Sequence, residues 1–264
     1  MISQELSRYK YHINRVFNKM DGLNKTRKSF FISAMHLFLS IKGKINFLQL
    51  ERYGALDEQT FRNHFEKSFD FLKFNMELTK EFGAGHYTIA FDPCYINKSG
   101  KSTPGVNWFW SGSACTTKWG LEIGGICAID IENHTAFHLE AKQTIFDSEK
   151  ENLVSHYANL LIDRKDQLQS LSKYVVADAY FAKDTFISKL KSHGFEVVTR
   201  LRDDANLMYK FKGEQKAGRG RPKKHDGKID FSNLNKNYFK VHPSDDLLQI
   251  YAGVVFSKSL KTEV

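Results

Sequence analysis

Through residue 85 the apolar positions fall at helical spacing. "RKSFFISAMHLFLSIKGK" is apolar on most sides and stops at Gly43, so it predicts a buried helix. The next stretch, "INFLQLERYGALDEQTFRNHFEKSFDFLKFNMELTKEF", predicts a short helix, a break at Gly54 and a longer helix with Asp57 as its N-cap. Phe61, Phe65, Phe69 and Leu72 recur along that longer helix. Two helices around a glycine-containing turn fit a DNA-binding helix-turn-helix or an ordinary Phe-rich helical hairpin, and both readings stay open.

From residue 86 the pattern becomes that of strands. "HYTIAFDPCYI" is followed by an aromatic stretch, "TPGVNWFWSGSACTTKWG", and then by a hairpin. Its arms are "LEIGGICAIDI" and "TAFHLEAKQTI", turning at Glu132–His134. "DSEKENLVSHYANLLIDRKDQLQSL" predicts a helix with a Ser148/Glu151 capping box and a stripe of Leu153, Tyr157, Leu160, Leu161, Leu168 and Leu171. The strand "KYVVADAYF", a short helix closed by Gly194 and the strand "FEVVTRLRDD" complete the run. The order implies an α/β fold, an antiparallel meander followed by βαβ units in one mixed sheet. In such a sheet the first strand and the strand after the helix lie side by side and parallel. Asp92 and Asp178 then emerge at the same edge, where open α/β sheets place ligands. Singly, each Asp also fits an ordinary strand-end turn, Asp92-Pro93 above all.

Charge adds a partner. Lys plus Arg number 39 against 30 Asp plus Glu, a net charge of +9, which suits a polyanion such as nucleic acid. The segment "KFKGEQKAGRGRPKK" (210–224) has no acid from Lys216 to Lys224. Three cysteines without a CxxC pair argue against a disulfide framework or a zinc ribbon and suit a reducing cytoplasm. The polar amino terminus lacks a signal-peptide core, and "FFISAMHLFLSI" is shorter than the roughly 20 residues of a membrane span, so no membrane partner is expected.

Adjacent carboxylates repel unless a cation joins them, and carboxylate oxygens suit Mg²⁺ or Mn²⁺. Two such ions roughly 3.5–4 Å apart support in-line attack at phosphorus. With "IAFDPCYI", "TPGVNWFWSGSACTTKWGLEIGGICAIDI", "YVVADAYFAKDTF" and "GRGRPKKHDGKI" read together, the chain resembles the amino-terminal part of a bacterial insertion-sequence transposase of the DDE type. The resemblance implies three regions: a helical, DNA-binding 1–85; an RNase H-like core with a mixed sheet and flanking helices over 86–205; and part of a basic β-rich insertion over 206–264. It implies Asp92 and Asp178 as catalytic, metal-holding acids, with Ala179, Tyr180 and Phe186 completing the second motif. It further implies Mg²⁺ (or Mn²⁺) as cofactor, double-stranded terminal-repeat and target DNA as partners, a homodimer on DNA, and a cytoplasmic, nucleoid-associated location.

The family's third acid lies in a Tyr-x2-Arg-x3-Glu-x6-Lys pattern, which no tyrosine after Asp178 begins. The expectation is therefore a carboxy-terminally truncated, inactive or weakly active copy, with Glu263 a poor substitute. Two rivals follow: a non-catalytic protein that occupies transposon ends, and an RNase H-like nuclease. "RGRP" with Lys223 and Lys224 matches an AT-hook core, in which Arg219 and Arg221 enter an A·T minor groove. The four-residue match is short, and a solvated basic hairpin touching phosphates is the favoured account of Arg219, Arg221, Lys223 and Lys224. Arg200 and Arg202, after the last core strand, fit a phosphate contact or a surface ion pair. Trp108, Trp110 and Trp119 fit strand-edge packing or stacking on a splayed base, and His134 and His138 read as structural.

Overall fold

The computed structural model describes every residue except 1, 101, 148, 216, 217, 219 and 244–248, and describes no side chains for 2–6. The chain divides into two compact units, Met1–Tyr87 with Gly125–Ala141, and Thr88–Gly124 with Lys142–Val264.

In the first unit five helices follow the apolar spacing: α1 (Ile2–Asn18), α2 (Lys25–Ser40), α3 (Phe47–Tyr53), α4 (Glu58–Phe65) and α5 (Phe71–Phe82). Asn24, Asn46, Asp57 and Asp70 cap α2, α3, α4 and α5, each accepting a backbone N–H three residues on. The single helix predicted beyond Asp57 is thus two. α4 ends at Phe65, and the Asp70 carboxylate, accepting from the Lys73 N–H, starts a new helix. Phe69 still reaches the core, its ring 4.0 Å from that of Phe31. Phe17 is fully buried among Phe31, Phe69 and Phe74. Burying each such ring stabilises the fold by roughly 1.5–3 kcal/mol.

One six-stranded mixed sheet carries the rest of the α/β architecture. Its strands are β1 (Tyr87–Asn97), β2 (Asn107–Ser111), β3 (Thr116–Asp130), β4 (Thr135–Gln143), β5 (Tyr174–Ala177) and β6 (Glu196–Thr199). They run in the order β2-β3-β1-β5-β6, with β4 on β3. The aromatic stretch left unassigned from sequence is β2, paired antiparallel with β3 so that Trp108 faces Trp119. The strand β1 does not stop at Pro93. Its registered pairing with β5 covers only Ile89 and Ala90, so the missing N–H of Pro93 removes no bond from that ladder.

Helices α6 (Leu153–Ile162), α7 (Lys165–Gln169) and α8 (Asp184–Ser192) flank the strands. Tyr157, Leu160, Leu161 and Leu168 of the predicted stripe are buried. The α6 cap is Asn152, while Ser148 of the expected capping box lies outside the described residues. Glu151 instead holds His156 and Asn159. Gly194 follows α8 at φ +84°, the left-handed C′ position its sequence predicted. This mixed sheet with flanking helices is compatible with an RNase H-like core.

Beyond β6, the described residues form the short strands β7 (Leu207–Lys210), β8 (His225–Lys228), β9 (Lys240–His242), β10 (Ile250–Ala252), β11 (Val255–Ser257) and β12 (Thr262–Glu263). They form a four-stranded sheet, β12-β11-β7-β8, and the pair β10-β9. Leu207, Tyr209, Ile229 and Val255 are their small core. Among the described residues no helix is long and apolar enough to cross a membrane.

Candidate active site at the strand ends

The pairing of β1 with β5 decides where the two aspartates go. The strands are parallel, with Ile89 opposite Val175 and Ala90 opposite Val176. Two residues beyond the paired Ala90 and Val176 come Asp92, still within β1, and Asp178, the first residue past the end of β5. β5 ends at Ala177, and Asp178 caps the 3₁₀ turn Ala179–Phe181 by accepting the Tyr180 N–H at 3.0 Å. The Asp178 carbonyl accepts the Thr199 hydroxyl at 2.8 Å, tying the turn to the end of β6.

Both carboxylates line one cavity of about 430 Å³, with Pro93, Trp110, Glu122, Leu153, Tyr157, Tyr180 and Phe181. Burial, and then the negative charge of Asp178, push the Asp92 carboxyl above its usual range. Neither aspartate has an ion pair among the described residues. Carboxylates so placed are a hard, oxygen-only donor set whose mutual repulsion a cation relieves. Mg²⁺ is commonly held by one or two carboxylates, water and a substrate phosphate, so the pair fits a small divalent ion. Among the described residues no three His, Cys, Asp or Glu side chains are grouped so as to hold one metal ion.

The cavity also holds residues that the sequence reading passed over. Glu122 on β3 is only 4 % exposed and accepts a 2.6 Å hydrogen bond from the Tyr157 hydroxyl of α6. Gly120 and Gly124 flank it on the same phase of the strand. A Cβ on Gly120 would lie 2.6 Å from the Ile96 carbonyl oxygen, and one on Gly124 3.0 Å from the Phe91 ring. Two side-chain-free positions thus let β3 approach β1 closely beside Glu122. Burial, followed by the bond to Glu122, raises the Tyr157 hydroxyl pKa. Burial and the Glu122 and Asp178 charges raise that of Tyr180. Lys183 lies with its Nζ 3.6 Å from the centre of the Tyr180 ring. Burial and Arg202 lower its pKa while Asp178 opposes them.

Of the other predicted residues Trp110 and Tyr180 line this cavity, and the predicted DNA-binding residues do not. Arg200 and Arg202 flank a separate shallow depression with Ala179, and each is paired locally, Arg200 to Asp203 at 3.0 Å and Arg202 to Asp204 at 3.1 Å. Arg221, Lys223 and Lys224 belong to the exposed connection from β7 to β8, where Lys223 meets Asp226 at 3.0 Å. Arg219 lies outside the described residues. Glu263 is paired with Lys210 at 2.9 Å on β12 and β7. Cys94, Cys115 and Cys127 are free thiols.

No protein-family model matches the chain, and no curated protein matches it. Among solved structures it is similar to the Mos1 mariner paired end complex with Mn, at 12 % identity and a TM-score of 0.26. That alignment covers 63 % of this chain and 57 % of the other, so the chain spans little more than half of its length. A likeness this slight carries no argument about fold or chemistry.

Proposed function

We propose that the chain is a DNA phosphodiester enzyme of the DDE transposase type on an RNase H-like core, with Asp92 and Asp178 holding Mg²⁺ or Mn²⁺. One observation carries the reading: the aspartates that follow the paired segments of two adjacent parallel strands share a cavity, where burial and then the charge of Asp178 raise the Asp92 carboxyl pKa. Perturbed carboxylates in a cleft are concentrated at functional sites. A divalent ion, when bound, neutralises the pair and supplies the Lewis acidity that phosphoryl transfer requires. The chain's own part is to fix the acids. The β1–β5 register sets their spacing, and the turn beginning at Asp178 holds that carboxylate in place. Cleavage at insertion-sequence ends, strand transfer and DNA contacts by Arg200, Arg202, Arg219, Arg221, Lys223 and Lys224 belong to the same proposal.

A second reading has a specific observation in its favour. A third metal-ligating group is not gathered with the pair among the described residues, which favours a protein that occupies DNA without cutting it. Supercoiled plasmid incubated with Mn²⁺ or Mg²⁺ separates the two. The enzyme reading expects metal-dependent nicking by the wild type and none by Asp92→Asn, with DNA binding kept in both. Binding without nicking by the wild type supports the second reading. Nicking by Asp92→Asn equal to that of the wild type contradicts the proposed site.

A further inference from the structure

Strand β3 buries two acids on the same phase, Glu122 and Asp130, and the fold satisfies them differently. Asp130 accepts the backbone N–H groups of Ala84 and Asn133 at 2.8 and 3.1 Å, and the Asn133 side-chain amide at 2.9 Å. A buried carboxylate with a purely structural task is saturated in this way. Glu122 receives one hydrogen bond, from the Tyr157 hydroxyl to its Oε1. Its Oε2 has no donor among the described residues, and no cation is paired with the group. A neutral hydroxyl orients a carboxylate without neutralising it, and a buried charge without a counter-charge is costly.

The cavity supplies the reason for keeping such a group. Glu122 lines the space that Asp92 and Asp178 share, and no Lys, Arg or His lines it with them. Rigid elements hold Glu122 there. Its backbone belongs to β3, Gly120 and Gly124 leave the flanking positions free of side chains, and Tyr157 of α6 fixes Oε1. Oε2 is then left for a donor that enters the cavity. A small divalent ion held by one or two carboxylates keeps several of its waters. Those waters donate, and hydrogen bonds from O–H to an ionised carboxylate are short and strong. Among the described residues no three acids are grouped so as to ligate one ion directly, which leaves Glu122 the outer shell.

We propose that Glu122 is an outer-shell positioning residue of the strand-end site. Held by Tyr157, it accepts from the hydration water of a divalent cation at Asp92 and Asp178 and adds its charge to theirs. It is not the Glu of Tyr-x2-Arg-x3-Glu, which follows the second Asp in the chain, whereas Glu122 precedes Asp178. The inference rests on the proposed function of the aspartate pair.

Electron paramagnetic resonance of free Mn²⁺ gives the affinities of wild type, Glu122→Gln, Tyr157→Phe and Asp92→Asn. Glu122→Gln keeps the size of the side chain and an acceptor for the Tyr157 hydroxyl but loses the charge. It is expected to bind Mn²⁺ roughly 10–100-fold more weakly than wild type. Tyr157→Phe keeps the charge and weakens binding less. A purely structural role predicts the reverse order, because Tyr157→Phe strips the carboxylate of its donor while Glu122→Gln preserves the bond, and that order overturns the inference. Wild-type affinity in Glu122→Gln beside a loss in Asp92→Asn also overturns it and leaves the aspartate site standing. Wild-type affinity in both overturns the aspartate site and the inference together. A second measurement needs no variant to fold. Mg²⁺ added to the metal-free wild type should move the carboxyl carbon NMR signal of Glu122 along with those of Asp92 and Asp178. A Glu122 signal that stays in place while the other two move overturns the proposal.

Discussion

The helical unit and the strand-end site treat carboxylates in opposite ways. In the first, Glu81 takes His12 at 3.0 Å and Arg15 at 3.2 Å, and the hydrogen bond from His12 holds its carboxyl below the usual range. Asp21 is held low in the same manner by Lys73. At the strand ends Asp92 is pushed up by burial and by Asp178, and no cation of the described chain pairs with either acid. Paired acids complete their own charge balance within the fold. Two carboxylates that share a cavity without an ion pair are an arrangement whose balance has to come from outside, and that difference is the ground on which we propose the sheet edge as the site of chemistry.

The contrast can be broken first through packing. Phe17→Ala removes a fully buried ring from the helical core and is expected to cost about 3–5 kcal/mol in denaturant unfolding, with Mn²⁺ affinity of the folded protein unchanged. A cost under about 1 kcal/mol would show that the ring cluster does not hold those helices. Next comes the buried pair beside the aspartates. Tyr157→Phe takes the donor from the Glu122 carboxylate, so a loss of about 1–3 kcal/mol is expected. Glu122→Gln keeps an acceptor for the Tyr157 hydroxyl and costs less. Equal losses from the two substitutions would remove the hydrogen bond as the reason Glu122 is tolerated there.

The smallest effect is on pH dependence, and its sign differs between the regions. The Glu81 carboxyl titrates lower folded than unfolded. Its contribution is therefore present above the ordinary carboxylate range and lost as pH falls through the depressed value. The Asp92 carboxyl titrates higher folded than unfolded. Its contribution is present below that range and lost as pH rises through the raised value. Carboxyl carbon NMR titrations of the metal-free protein should place Asp92 above Glu81, and Asp178→Asn should bring Asp92 down. An unmoved Asp92 in that variant would show that Asp178 does not act on it.

Much of the placement of the two acids was legible because strand order obeys simple rules. The apolar runs "YTIAF" and "YVVA" separated by a helix predict parallel neighbours, and the structure pairs them parallel, with Asp92 and Asp178 lining one cavity beyond the paired residues. Glu122 was not legible. The segment around it is apolar on both phases, Leu121 and Ile123 on one and Ile126 and Ala128 on the other, so alternation alone does not say which phase is buried. The structure buries the phase containing Glu122, and only the α6 hydroxyl of Tyr157, 35 residues on, explains how. The end of α4 was hidden for a related reason. Phe61, Phe65, Phe69 and Leu72 keep helical spacing across the break, and the Asp70 cap interrupts the backbone while the apolar face continues.

The central claim is that Asp92 and Asp178 share one divalent cation, and Mn²⁺ binding followed by electron paramagnetic resonance tests it most directly. Wild type should bind Mn²⁺, and Asp92→Asn and Asp178→Asn should each weaken binding by at least the roughly 10–100-fold that loss of a supporting outer-shell partner costs. Equal Mn²⁺ affinity in all three proteins would contradict it.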